Sequence, residues 1–245
     1  MISQKEGKRM LINYAHRGAS EYYPENTLSA FYAGISMGAT GIETDVQKTK
    51  DGVLVLFHDD SLDRVTGQTG SISDYTYREL QEFLVRNPAG DRWDKITTLE
   101  HLLQYFGWRD LTFAIEIKQE HIAGEIIDML EAFHMQKKTV LTSFLFDTLR
   151  DAKAHNPGYR VGYLYQCSHD EALQKLQSIR GDELCPEAHT MTPEQTAAYQ
   201  AMGYSVRAWG VYNTDLMRHV CACKANGMTV NFPDKLTAYL AGTQA

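Results

Sequence analysis

Charged and imidazole side chains stand at the ends of short apolar runs in three segments of this 245-residue chain. They are Tyr14-Ala15-His16-Arg17-Gly18, Gly41-Ile42-Glu43-Thr44-Asp45-Val46 and Phe113-Ala114-Ile115-Glu116-Ile117-Lys118. Glu43, Asp45 and Glu116 gathered in one mouth would repel one another, which raises their pKa values or calls for a cation. An all-oxygen set favours a hard divalent ion, Mg²⁺ or Ca²⁺, over zinc. His16 and His58 beside them are suited to accept one proton and donate another; the alternative role is metal ligation. Arg17 and Lys118 bring positive charge of the kind a phosphate needs. The plainer alternative is an ion-pair network in which these cations balance the acids.

Such residues need rigid elements to bring them together. Apolar runs that read as buried strands occur at residues 11–15, 41–46, 112–117, 139–143, 160–164, 183–186, 204–209 and 228–232. Helical patterns fill most gaps, at Thr27 to Met37, Ala123 to Phe133, Asp147 to His155, Asp170 to Ile179 and Pro193 to Met202. Asn26 or Thr27 and Thr192 are suited to cap such helices, with Pro193 at a first helical position. Eight strands alternating with helices in a chain of this length predict a TIM (β/α)₈ barrel. In the third charged segment Phe113, Ile115 and Ile117 would pack under helices, which turns Glu116 and Lys118 toward the barrel axis. The carboxyl ends of barrel strands are where this fold builds active sites.

Residues 46–110 hold too much chain for one helix. Asp51-Gly52 between extended stretches predicts a hairpin, and about 59–96 reads as a small insertion after the second strand. A helix from Leu99 to Phe106 would return the chain to the barrel. If Asp51-Gly52 is a two-residue turn, Lys50 pairs with Val53 and Asp45 falls opposite His58, with Glu43 on the same face.

Composition narrows the function classes. Hydrophobic residues make up 43% and charged residues 22%, which excludes disordered, collagen-like and disulfide-framework chains. Lys plus Arg is 24 against 31 for Asp plus Glu, a net charge of −7, which argues against a nucleic-acid partner. Cys167, Cys185, Cys221 and Cys223 read as reduced packing thiols. No secretory apolar core and no run near the ~18 residues of a membrane span is present, so a cytoplasmic protein without stable membrane association is expected. Oligomeric state is not encoded in any of these features.

His16-Arg17-Gly18, Pro24-Glu25-Asn26-Thr27, Glu43-x-Asp45, Asp51-Gly52 with His58-Asp59, Arg64-x-Thr66 and Glu116-x-Lys118 together resemble the glycerophosphodiester phosphodiesterase family. The likeness continues more loosely through Thr142-Ser143-Phe144, Trp209 and Asn231-Phe232-Pro233. It implies one TIM-barrel domain over residues 1–245, with the hairpin and insertion at about 46–110. It further implies a divalent cation, Mg²⁺ or Ca²⁺, on Glu43, Asp45 and Glu116. By the same resemblance His16 and His58 would be the acid/base pair, Arg17 and Lys118 the phosphate contacts, and Trp209 a wall on the glycerol side. Pro24 to Thr27 would shape a loop and cap a helix. The chain departs from the family at Val230-Asn231-Phe232-Pro233, where members commonly carry a Thr-Asp-x-Pro segment.

The activity so implied is metal-dependent hydrolysis of a small-molecule glycerophosphodiester to sn-glycerol 3-phosphate and an alcohol such as choline, ethanolamine or glycerol. A lysophospholipase D would use the same machinery but would want an apolar surface at the mouth. A non-catalytic binding barrel would lack a ligand or a histidine, and none is missing. A metal-dependent sugar or amide hydrolase would have no need of Arg17 and Lys118 as a phosphate clamp.

Overall fold

In the computed structural model, which describes residues 11–242, the chain opens with β1 (Ile12–His16), α1 (Leu28–Ser36), β2 (Gly41–Lys48) and β3 (Leu54–Leu56). The next stretch holds α2 (Asp63–Thr66), α3 (Tyr77–Leu80), β4 (Val85–Arg86), β5 (Trp93–Asp94) and α4 (Leu99–Phe106). Strand–helix alternation then runs β6 (Thr112–Ile117), α5 (Ala123–Ala132), β7 (Thr139–Ser143), α6 (Phe146–His155), β8 (Val161–Leu164) and α7 (His169–Ser178). It ends with β9 (Glu183–Cys185), α8 (Pro193–Ala201), β10 (Ser205–Val211), α9 (Thr214–Ala222), β11 (Gly227–Val230) and α10 (Pro233–Leu240). All eight expected barrel strands form, within a residue or two of their expected ends.

Among the described residues, parallel pairing runs β1-β2-β6-β7-β8-β9-β10-β11, and β11 pairs back with β1 to close the ring. With helices between successive strands, this is a TIM barrel. Ile42, Phe113, Ile115, Ile117, Leu141 and Val206 turn outward into the main core under the helices. Each such buried side chain is worth about 1.5–3 kcal/mol of transfer free energy. Inside the ring the apolar set is small: Tyr14, Ala114 and Val140 fill the lower barrel. Gly41 and Gly227 make room for the Tyr14 ring, since a Cβ at either would lie 2.6 or 2.8 Å from it. Above that plug the inward positions are polar.

The hairpin forms, but not in the expected register. Val46 pairs with Leu56 and Lys48 with Leu54, so Phe57, not His58, stands opposite Asp45 and donates its N–H to the Asp45 carbonyl. The turn has three residues, Lys50 to Gly52, closed by Thr49, with Gly52 left-handed at φ 86°. That loop is a type I turn completed by a left-handed glycine, and it adds one residue to the two-residue count. The Thr49 hydroxyl accepts from the Val53 N–H and donates to Asp51, fixing the longer loop. His58 still reaches the mouth, because the ladder ends at Leu56 and the chain turns inward.

Between β3 and α4 the insertion forms its own small core of Val55, Phe57, Leu62, Val65, Ile72, Leu80, Val85 and Ile96. Its β5 reaches the barrel through Asp94, which accepts from the Ser29 N–H at the start of α1. All four cysteines are free. No helix among the described residues is long and apolar enough to cross a membrane.

Candidate active site

Register alone brings the three carboxylates together. β2 pairs with β6 so that Asp45 is level with Glu116, and β1 pairs with β2 so that His16 is level with Glu43. Glu43 and Asp45 are two apart on one strand and face the same way. The three acids are buried, and one ligand oxygen from each lies within 4.8 Å of the others. Among the described residues no other group of three such side chains comes so close.

The donor set fits a hard divalent cation. Glu43 Oε2 and Asp45 Oδ1 are buried oxygens without a hydrogen-bond donor, whereas Asp45 Oδ2 accepts from Asn26 Nδ2 at 2.9 Å. Buried acceptors left unmatched are costly, and a cation shared by carboxylates satisfies them. Electrostatics agree. Burial and the charges of Asp45 and Glu116 push the Glu43 carboxyl well above the usual range. Burial and Asp45 also raise Glu116 to about 7, against the pull of Lys118. Burial would lift Asp45 as well, but Arg17, His58, Lys118 and the Asn26 amide hold it at about 2.

The β1–α1 loop is bent to serve this group. Arg17 and Asn26 both adopt left-handed backbone, φ 56° and 57°, and the Asn26 N–H donates to the Arg17 carbonyl. Asparagine tolerates that conformation; for arginine it costs on the order of 1 kcal/mol and is retained where geometry matters. The bend aims Arg17 Nε to 3.2 Å from Asp45 Oδ2 and Nη1 to 2.9 Å from Glu25. Thr27 then caps α1, accepting from the Ala30 N–H, so the expected loop and cap are both present. Lys118 Nζ lies 3.0 Å from Glu116 and 4.0 Å from Asp45. Both cations therefore touch the carboxylates directly, and Arg17 also lines the cavity.

The two histidines are held differently. His16 Nδ1 is 2.6 Å from the Asn231 side-chain oxygen, and its Nε2 is 3.8 Å from Glu43. Burial and the adjacent Arg17 charge push the His16 pKa down. His58 Nδ1 is 2.7 Å from Asp59 Oδ1. Arg64 of α2 grips Asp59 through Nε at 2.6 Å and Glu25 through Nη1 at 2.8 Å, so one arginine holds the partner of His58 and the partner of Arg17.

These side chains open onto a cavity of about 250 Å³ that His16, Arg17, Glu43, His58 and Glu116 line on one side. Phe144, Leu164, Arg207, Trp209 and Tyr212 line the other. Trp209 lies edge-on to Phe144 with centroids 5.0 Å apart, and its buried Nε1 has no acceptor. A larger cleft of about 700 Å³ opens at the opposite end of the barrel; among the described residues Asp110 is the one titratable side chain lining it.

All eight sequence-predicted residues thus lie at one end of the barrel. Sequence reasoning gave Glu25 and Asn26 only a loop-shaping or capping role and assigned no role in the site to them or to Asp59, Arg64, Asn231 or Arg207, each of which touches the site. The first five depend on contacts that spacing does not reveal. Arg207 had a readable signal, since it sits two residues before Trp209 in a strand and must share its face.

The sequence model of the glycerophosphoryl diester phosphodiesterase family matches residues 16–235. A glycerophosphodiester phosphodiesterase of Caldanaerobacter subterraneus subsp. tengcongensis is 31% identical over 91% of this chain and 94% of its own. Among solved structures, the glycerophosphodiester phosphodiesterase of Thermotoga maritima superposes with a TM-score of 0.79 at 27% identity, covering 94% of this chain and 98% of that one. An Oleispira antarctica phosphodiesterase in complex with its product sn-glycerol 3-phosphate has the same fold, with a TM-score of 0.81 at 24% identity over 94% of this chain and 96% of that one.

Proposed function

The chain belongs to the glycerophosphoryl diester phosphodiesterase family and is a phosphodiester hydrolase; from that premise we propose that it splits glycerophosphodiesters into sn-glycerol 3-phosphate and an alcohol, using a divalent cation and two histidines. The observation that carries this reading is the buried trio Glu43, Asp45 and Glu116, flanked in one cavity by His16 and His58. Glu43, Asp45 and Glu116 would hold Mg²⁺ or Ca²⁺, which when bound supplies charge neutralisation and polarisation at a phosphoryl group.

Proton transfer falls to the histidines. Asn231 presents an amide oxygen, so His16 Nδ1 carries the proton and Nε2 keeps a lone pair toward the cavity. His16 is the base that takes the proton of the attacking hydroxyl. Asp59 presents a carboxylate acceptor to His58 Nδ1, which fixes the orientation of the ring, and His58 is the acid that protonates the departing alkoxide. Arg17, turned by its left-handed backbone and fixed by Glu25, keeps Asp45 ionised and lends positive charge to the phosphate. Lys118 adds a second positive charge beside Glu116. Trp209 and Phe144 wall the organic end.

The test is release of glycerol 3-phosphate from glycerophosphocholine with Mg²⁺, with Ca²⁺ and with chelator. Cation-dependent release is expected, reduced about 10²–10⁴-fold in folded His16→Ala or His58→Ala protein and lost in Glu43→Ala. Release indifferent to chelator and to all three changes would overturn the reading. Lysophosphatidylcholine run alongside checks the larger-substrate alternative, since Phe144 and Tyr212 line the cavity and reach the surface.

A further inference from the structure

Strand β10 alternates between two environments. Val206 and Ala208 join the outer core, so Ser205, Arg207 and Trp209 face the barrel axis. Arg207 is only 1% exposed, yet it lines the same cavity as His16 and His58. Its Nε donates to Glu183 Oε1 at 2.8 Å, its Nη2 lies 3.5 Å from Cys185 Sγ, and the guanidinium sits 5.4 Å above the Tyr14 ring. Glu183 is itself 3% exposed. Nη1 has no acceptor among the described residues.

A buried ion pair is a poor device for stability alone. Two charges taken out of water are costly, and an apolar pair of similar volume usually serves as well or better. Arg207 spends Nε and Nη2 on Glu183 and Cys185, which leaves Nη1 without an acceptor among the described residues, and the buried Nε1–H of Trp209, which lines the same cavity, has none either. Guanidinium and indole nitrogens only donate. The half of the cavity facing the carboxylates therefore calls for a ligand that brings acceptor oxygens.

We propose that Arg207, clamped by Glu183, is a specificity-determining residue of this site: its Nη1 donates to a hydroxyl oxygen of the glycerol group whose phosphate lies on the histidine side. The inference rests on the hydrolytic reading above and names the end of the substrate that enters deepest. Glycerol is uncharged and carries free hydroxyls, which suits a guanidinium. A cationic alcohol such as choline would be repelled there, and it is accommodated instead at the rim, where Tyr212 is 67% and Phe144 37% exposed and aromatic faces attract cations. A site built to hydrogen-bond a hydroxyl discriminates strongly against a ligand that lacks it.

The experiment is calorimetric binding of sn-glycerol 3-phosphate and of n-propyl phosphate to the cation-loaded full chain. Binding is read instead of turnover, because attack by a substrate hydroxyl would make turnover depend on that group for a second reason. Wild type is expected to prefer sn-glycerol 3-phosphate by about ten- to a hundredfold, the range of a charge-assisted hydrogen bond. In the double variant Arg207→Gln with Glu183→Gln, which removes both charges together, the preference should shrink to about threefold or less. Affinity for n-propyl phosphate should stay the same. A wild type without preference overturns the proposal whether or not the variant folds, and so does a folded variant that keeps the preference. Failure of the hydrolytic reading is a separate result, namely wild type that releases no glycerol 3-phosphate from glycerophosphocholine.

Discussion

Two hydrogen bonds of nearly equal length give the two histidines different chemistry, because one ends on an amide and the other on a carboxylate. The amide at Asn231 adds no negative charge to His16, whose pKa is already lowered by burial and by Arg17. Asn231→Asp would place a carboxylate there, and an opposite charge at that distance raises a histidine pKa by about 1–3 units. A base works only unprotonated, so the acid-side limb of kcat/KM against pH should move to higher pH. An unmoved limb would show that His16 is not the base. The carboxylates respond to pH in their own way. Glu116 keeps its proton up to about pH 7, and Glu43 keeps its own well above the usual range. A carboxyl must lose its proton to hold a cation, so affinity for Mg²⁺ or Ca²⁺ should weaken as pH falls below about 7. The rise in Tm on adding the cation should be larger at about pH 8 than at about pH 5.5; an equal rise at both would contradict the raised values.

Elements differ in how much of their geometry a sequence reveals. β6 was readable because Phe113, Ile115 and Ile117 alternate with Ala114 and Glu116, and that alternation alone sends Glu116 inward. The hairpin was readable as a hairpin but not in register, because the choice between two and three loop residues rests on the φ of Gly52 and a side-chain bond from Thr49. Arg64 was least readable: Glu25, which it grips, is 39 residues away, and only packing of the insertion on the barrel brings them together. That grip makes the insertion part of the site. Arg64→Met should free both Asp59 and Glu25, lowering kcat through His58 and raising KM through Arg17, with little change in Tm because Arg64 is half exposed. Arg64→Lys, able to reach one carboxylate but not fork to two, should recover one parameter more than the other. A drop in Tm with unchanged kinetics of the folded fraction would make the contact purely structural.

At the scale of the whole molecule, the barrel divides its interior into a lower apolar plug and an upper polar mouth. Tyr14, Ala114 and Val140 exclude water below, and the carboxylates, histidines and arginines are concentrated above. A low-dielectric floor under charged groups strengthens every interaction among them. The partition follows from residue types at alternate strand positions, which made the fold class and the inward turn of Glu116 and Lys118 readable in advance, whereas Trp209 came only from the family resemblance and His58 from a hairpin register that the structure corrects. Closure of the ring could not be read residue by residue, although it decides when the site exists. His16 stands at the end of the first strand, and Asn231, 215 residues later, follows the last. A ribosome therefore makes the acids, both histidines and the insertion long before the partner that orients His16. Until β11 slots in beside β1, the growing chain holds a nearly complete set of reactive groups that cannot yet work together. Competence of the site should thus arrive late and in a single step.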